Sequence, residues 1–190
     1  MVKKQIVDNW AVYGLSESIR ASKYPMATDT HLCSSGVTHT VKKLGSCPIG
    51  TGHDNFLNGI VVQFDLTFSN KAWVEAERYH FLDFVSSQST MHRIASFDIE
   101  EQCNEYVSGV IIEELMRLVN IYNANKTEEN YLKVLYNIPS GFQLTARMTT
   151  NYRQLKTIYH QRSTHRLPEW RAFCHWIEEL PMFKELVIDE

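Results

Sequence analysis

Two arginines occupy positions where helical periodicity calls for apolar side chains. Val74, Arg78 and Phe81 follow an i, i+4, i+7 spacing, and Leu155, Ile158, Tyr159 and Arg162 fall on a similar stripe nearer the C-terminus. A guanidinium stays charged at physiological pH, so one turned inward needs a carboxylate, a phosphate or a polar ring to offset its desolvation. An internal ion pair with Glu75, Glu77 or Asp83, an arginine that snorkels outward, and a bound anionic ligand each satisfy that demand. Two further segments carry polar chemistry. Gly52-His53-Asp54-Asn55 is turn-like, with a histidine able to stack on or hydrogen-bond a ligand. Ser86-Ser87-Gln88-Ser89-Thr90, followed by His92 and Arg93, groups hydroxyl donors with cations, a composition suited to phosphate or sugar hydroxyls as well as to a plain polar loop.

Charge sharpens the contrast between halves. Residues 98 to 129 carry Asp98, Glu100, Glu101, Glu105, Glu113, Glu114, Glu128 and Glu129 against Arg117 and Lys126, a solvated face. Residues 142 to 171 reverse the sign, with Arg147, Arg153, Lys156, Arg162, Arg166 and Arg171 against Glu169 alone, a concentration that suits a small anionic ligand. Over the whole chain, 19 Lys and Arg against 22 Asp and Glu give a net charge of −3, which disfavours a nucleic-acid polymer as partner. Charged residues such as Asp65, Glu75 and Arg78 interrupt the apolar runs, so no membrane association is expected. The opening Met1-Val2-Lys3-Lys4 has no apolar segment after it, and a cytoplasmic, reducing location is expected. Cys33, Cys47, Cys103 and Cys174 form no Cys-x-x-Cys pair, and the series Cys33, His39, Cys47, His53 lacks the spacing of a structural zinc site, so free thiols and no metal are expected. Gly-x-Gly-x-x-Gly, phosphate-loop and Gly-x-Ser-x-Gly patterns are all absent.

These groups need elements to position them. No repeat or linker divides residues 1–190, which read as one domain of 190 residues with a 44% apolar composition, enough for a core. Residues 6–13 read as a strand, Ser16 as the cap of a short helix carrying Ile19 and Arg20, and residues 26–52 as loop-rich. Val62, Phe64, Leu66 and Phe68 alternate with Gln63, Asp65 and Thr67, and Phe142, Leu144, Ala146 and Met148 alternate with polar residues in the same way, giving two half-buried strands of one sheet. Ile99, Cys103, Val107, Val110, Ile111, Leu115, Leu118 and Tyr122 predict one long amphipathic helix. Further helices are predicted over residues 127–136, from Asn151, and from Pro168 to just before Pro181. The fold class is α+β, a mainly antiparallel sheet with packed helices.

Taken in order, these segments resemble the flavin-dependent thymidylate synthases. Leu15-Ser16-Glu17-Ser18-Ile19-Arg20 is similar to the family's early helix, and Gly52-His53-Asp54-Asn55 to its Gly-His-Glu segment. Arg78-Tyr79-His80 stands in the place of the signature Arg-His-Arg, at the end of a helix over residues 70–80. Ile138-Pro139, Asn151-Tyr152-Arg153-Gln154-Leu155, Arg162 and Glu169-Trp170-Arg171 resemble the family's Leu-Pro strand, Asn-x-Arg-Ser-Leu helix, substrate arginine and final helix. No single motif is intact, and the resemblance rests on order and spacing along nearly the whole chain.

The resemblance implies a homotetramer holding FAD in clefts between subunits, with NADPH reducing the flavin and methylenetetrahydrofolate supplying a one-carbon unit to C5 of dUMP or a related pyrimidine nucleotide, without a cysteine nucleophile. By position it implies that His53, Arg78, Tyr79, His80, Asn151, Arg153 and Thr157 line the FAD site, and that Arg162 is the catalytic and substrate-binding cation. Glu75 replaces a substrate-binding glutamine, while Ser87 or Ser89 and Arg93 take the places of the signature's serine and arginine. The phosphate arginine expected ahead of the Leu-Pro segment is replaced by Leu135, which should weaken nucleotide monophosphate binding. The alternative implied function is a non-catalytic relative that keeps a nucleotide or flavin pocket.

Overall fold

The computed structural model describes residues 5–188. The basic opening at residues 1–4, from which a cytoplasmic location is argued, lies outside the described residues. Strand β1 (Val7–Tyr13), β2 (Val61–Ser69), β3 (Asp83–Ser87) and β4 (Gln143–Asn151) form a four-stranded sheet in the order β1-β2-β4-β3, with every pair antiparallel. The two strands predicted from alternation are direct neighbours, in an unbroken register from Val61↔Asn151 to Ser69↔Gln143. Their common face explains the period of two: Val62, Phe64, Leu66, Phe68, Ala146 and Met148 are buried on it. The opposite face is polar, with the hydroxyls of Thr67 and Thr145 2.7 Å apart and Arg147 donating to Asp65 at 3.2 Å. An antiparallel sheet tolerates one face toward water in this way.

Helices α8 (Tyr152–Arg162) and α9 (Pro168–Glu179) cover the apolar face. Phe64 and Phe68 meet Trp170, Phe173 and Trp176 of α9 at centroid separations of 4.8 to 5.9 Å. Asn151 starts α8 by accepting a hydrogen bond from the Gln154 amide at 2.9 Å, and Pro168 opens α9, as predicted. Thr127 likewise caps α7 (Glu128–Leu135) through the Asn130 amide. A second apolar cluster, with Ile94, Ile99, Leu115, Leu118, Val119, Val134 and Phe142, lies under α6 (Gly109–Ala124) and α7; Leu144 packs against both clusters.

Several expectations are corrected. The long helix is broken: α5 covers only Ile99–Gln102, after which Cys103 bridges to Phe142 and the Asn104 amide donates to the Gly141 carbonyl. The Asn104 side chain then accepts from the Tyr106 amide, so a local side-chain bond replaces a helical turn before α6 begins. Ser16 lies inside α1 (Leu15–Ala21), whose N-cap is Gly14 with φ 73°, a conformation open to glycine. The segment 26–52 is loop-rich, as expected, and is interrupted by α2 (His39–Gly45), capped by Thr38. After β2, helix α3 covers only Asn70–Ala76, capped by Ser69, instead of reaching His80. Its buried side is Ala72, Trp73 and Ala76, so Val74, Arg78 and Phe81 are exposed; the predicted inward stripe ran one position out of phase and past the helix end. Much of the Ser86–Arg93 segment is edge strand β3 and the short helix α4 (Thr90–Arg93), with every residue of β3 exposed. No helix among the described residues is long and apolar enough to cross a membrane.

At the end of α2, a Cβ on Gly45 would collide with the backbone carbonyl of Leu186, which belongs to the π-helical turn Lys184–Ile188. Gly45→Ala should therefore force these two backbones apart and cost about 1–3 kcal/mol. A thermal unfolding curve that is unchanged by this substitution would show that the close approach does not stabilise the fold.

Candidate functional site

The inward stripe of α8, with Tyr152, Leu155 and Ile158 fully buried, carries Arg162 into the protein at its last turn. There Arg162 Nε donates to the Tyr79 hydroxyl at 2.7 Å, and Nη1 donates to Glu75 Oε2 at 3.2 Å. The guanidinium carbon sits 5.0 Å from the Trp170 ring centroid and 5.5 Å from that of Tyr79. At 13% side-chain exposure, the cation–π attraction acts on a largely desolvated charge, where it is worth about 2 kcal/mol. Nη2 has no partner among the described residues, which leaves the guanidinium one open donor edge.

Every partner of Arg162 is itself held. The Tyr79 hydroxyl donates to Gln161 Oε1 at 2.9 Å. Glu75 Oε2 also lies 3.3 Å from His165 Nε2, and Oε1 lies 4.0 Å from Lys71. His165 Nδ1 accepts from the Leu167 amide at 3.2 Å, which places the proton of a neutral imidazole on Nε2, facing Glu75. Beneath this group the Cys174 thiol is pushed up to about 12, chiefly by burial and further by Glu178, with Arg162 opposing. It is therefore protonated at neutral pH and is no nucleophile.

The first turns of α8 build a second charged group. Arg153 Nε donates to Asp54 Oδ1 at 3.0 Å, and Lys156 Nζ donates to Asp54 Oδ2 at 2.9 Å and to the carbonyls of Gly45 and Cys47 at 2.7 and 2.5 Å. Lys156 thus uses all of its ammonium donors within the fold. Arg153 remains 34% exposed, with the outer nitrogens of its fork without a partner among the described residues. Asp54 is buried while the adjacent His53 is exposed, so the ion pair fixes the turn from which His53 projects. Asp54 and Lys156 are not among the site residues expected from the sequence. A signal was present: Tyr152, Leu155, Lys156 and Tyr159 make an i, i+3, i+4, i+7 stripe, with a cation where an apolar residue belongs, the same test that selects Arg162.

The remaining expected residues divide by place. Arg78 and His80 are exposed, whereas Tyr79 between them is buried. Asn151 spends its side-chain oxygen on the α8 cap, and the Thr157 hydroxyl donates to the Arg153 carbonyl at 3.3 Å. Ser89 and Arg93 line a cavity of about 220 Å³ with Gln88, Ser96 and Phe97, while Ser87 ends the exposed strand β3. The structure therefore joins Glu75, Tyr79 and Arg162 in one group, His53, Arg153 and Asn151 around the start of α8 in another, and Ser89 with Arg93 in a third.

No family model matches the sequence, and a search of curated proteins returns no significant match. Solved structures do match. Thymidylate synthase X (ThyX) from Helicobacter pylori, crystallised with FAD and dUMP, aligns at a TM-score of 0.75 and 16% identity over 97% of this chain and 96% of that one. A second structure of that enzyme, also with FAD and dUMP, aligns at a TM-score of 0.75 and 14% identity over 96% and 97%. The fold is that of ThyX. The agreement covers the α+β class and the antiparallel sheet with packed helices anticipated from the sequence. At this identity the shared property is the ThyX backbone, so any ThyX-like chemistry has to be carried by the side chains described above.

Removing Lys156 leaves the buried Asp54 carboxylate with Arg153 as its one cation among the described residues and deprives the Gly45 and Cys47 carbonyls of a donor. Lys156→Met should lower stability by about 1–3 kcal/mol in denaturant unfolding, and pairing it with Asp54→Asn should recover part of the loss. Equal destabilisation by the single and double variants would exclude the ion pair as the cause.

Proposed function

We propose that the protein is a flavin-dependent enzyme acting on a pyrimidine nucleotide, binding FAD and transferring a one-carbon unit from methylenetetrahydrofolate to C5 of dUMP or a related nucleotide, with NADPH as reductant. The observation that carries this reading is the anchored Arg162, a desolvated cation with one unused donor edge on a backbone shared with ThyX. A cation fixed before the reaction stabilises charge that develops on a uracil carbonyl as C5 is activated, with no reorganisation during the step. Tyr79 and Glu75 orient that cation, and His165 and Lys71 orient Glu75.

The donor chemistry fits FAD. Exposed Arg78 and His80, the outer nitrogens of Arg153, and His53 on its fixed turn offer cationic and hydrogen-bonding groups for a diphosphate and for flavin carbonyls. The side-chain nitrogen of Asn151, the cap of α8, and the hydroxyl oxygen of Thr157 on that helix complete the set. FAD would supply the redox step of the reaction. Ser87, Ser89 and Arg93 would take the nucleotide phosphate, with the cavity beside Ser89 and Arg93 supporting that assignment. Apart from Tyr79, which joins Glu75 and Arg162, the residues assigned to FAD lie apart from those assigned to the nucleotide within one chain, in keeping with a site completed by other subunits of a homotetramer. Exposed Phe81, Phe84 and Val85 around the β3 edge offer apolar surface for such assembly.

One observation favours a second reading. Glu75 already neutralises Arg162 inside the chain, as it would in a non-catalytic relative that retains a flavin or nucleotide pocket.

Titration of the purified protein with FAD should produce a bound-flavin visible spectrum that dUMP perturbs, and the reduced flavin should reoxidise in a nucleotide-dependent reaction. Flavin binding with no nucleotide-dependent turnover would favour the second reading, and failure to bind FAD would remove the enzymatic one. Arg162→Gln, which keeps a neutral donor for Tyr79, should lower turnover by roughly 10²–10³-fold while the protein remains folded. Sedimentation showing only monomers in the presence of FAD would exclude a site shared between subunits.

A further inference from the structure

A cavity of about 350 Å³ adjoins the cavity of Ser89 and Arg93, and none of the Arg162 or Arg153 groups lines it. Its walls come from the α4 turn and the residues after it (Met91, His92, Ser96), the end of α6 (Tyr122, Asn123), Lys126 in the connection to α7, and Tyr131 on α7. Its volume falls in the range of small-molecule pockets. The Tyr122 and Tyr131 rings stand with centroids 5.4 Å apart and planes inclined at 46°, both half-buried, and form an aromatic wall. The Tyr131 hydroxyl donates to the Met91 carbonyl, which ties that wall to the α4 turn.

The charge on this lining is opposite to that of its surroundings. Residues 98–129 are rich in acids, yet no carboxylate lines the cavity. Of the two cations in that stretch, Arg117 is bound to Glu114 by paired hydrogen bonds of 2.7 Å, whereas Lys126 has no partner among the described residues. His92, Asn123 and Ser96, which line the same space, likewise have no side-chain partner among the described residues. An aromatic wall facing an unpaired ammonium and uncommitted polar groups is complementary to a flat ring that carries a negative charge.

We propose that this cavity is a binding site for a small planar aromatic anion, with the ring against Tyr122 and Tyr131 and the anionic group at Lys126 and His92. The site is separate from the cavity of Ser89 and Arg93, with which it shares only Ser96, and the proposal stands whether or not the protein is a flavin enzyme.

Phenyl phosphate is a suitable probe, with phenol and inorganic phosphate as its two halves, measured by calorimetry and ligand-observed NMR. Phenyl phosphate should bind more tightly than either half. Lys126→Ala, a change at an exposed residue that leaves the fold intact, should weaken binding about tenfold or more, as loss of a charge-assisted hydrogen bond does. Tyr122→Leu should weaken phenyl phosphate but not inorganic phosphate. Arg93→Ala, which removes the cation of the neighbouring cavity, should leave phenyl phosphate binding unchanged. The proposal is overturned by wild-type affinity in Lys126→Ala, by loss of binding in Arg93→Ala, by inorganic phosphate binding as tightly as phenyl phosphate, or by no binding of the probe at all.

Discussion

Helix α8 turns two cations into a protein interior, and the structure is arranged around their neutralisation. Lys156 meets Asp54, which precedes β2, and Arg162 meets Glu75, which follows it. The helix is thereby fastened by charge beside both ends of the central strand whose apolar face it covers. Neither contact is interchangeable with a surface ion pair, because the charges are largely removed from water and each depends on its own partner. The two differ in what they leave available. Lys156 is fully consumed by a carboxylate and two carbonyls, a structural use, whereas Arg162 keeps a free donor edge beside a tryptophan and a tyrosine.

How legible this arrangement was in the sequence followed from burial. Strands β2 and β4 alternate because one face of their sheet is dry and the other wet, and α8 and α9 carry their own start signals in Asn151 and Pro168. Strand β3 gave no such alternation because all of its residues are exposed at the sheet edge. The break between α5 and α6 was hidden because the apolar spacing continues across it; what ends the helix is the long-range pairing of Cys103 and Asn104 with residues 141–142. Arg78 was turned inward by a pattern extended beyond Ala76, where α3 stops. Arg162 was found because a charge interrupts an apolar stripe, and Lys156 satisfies the same criterion on the same helix.

The candidate site was legible as residues rather than as an assembly. Partners such as Asp54 and Arg153, or Glu75 and Arg162, are separated by 99 and 87 residues, and only the fold reveals that they meet. Similarity to ThyX at 16% and 14% identity shows that the backbone plan survives wide replacement of side chains. The charged pairs are the places where replacement is least free, since changing one member removes part of the compensation of a largely buried charge.

The pairing of β2 with β4 also has a consequence for how the chain comes to be folded. Asp65 and Arg147, neighbours across those strands, are 82 residues apart. The apolar side of β2 is therefore made well before β4 and the helices α8 and α9 that follow it and cover it. Such non-local topology favours slow maturation, with apolar surface exposed until the late segments arrive.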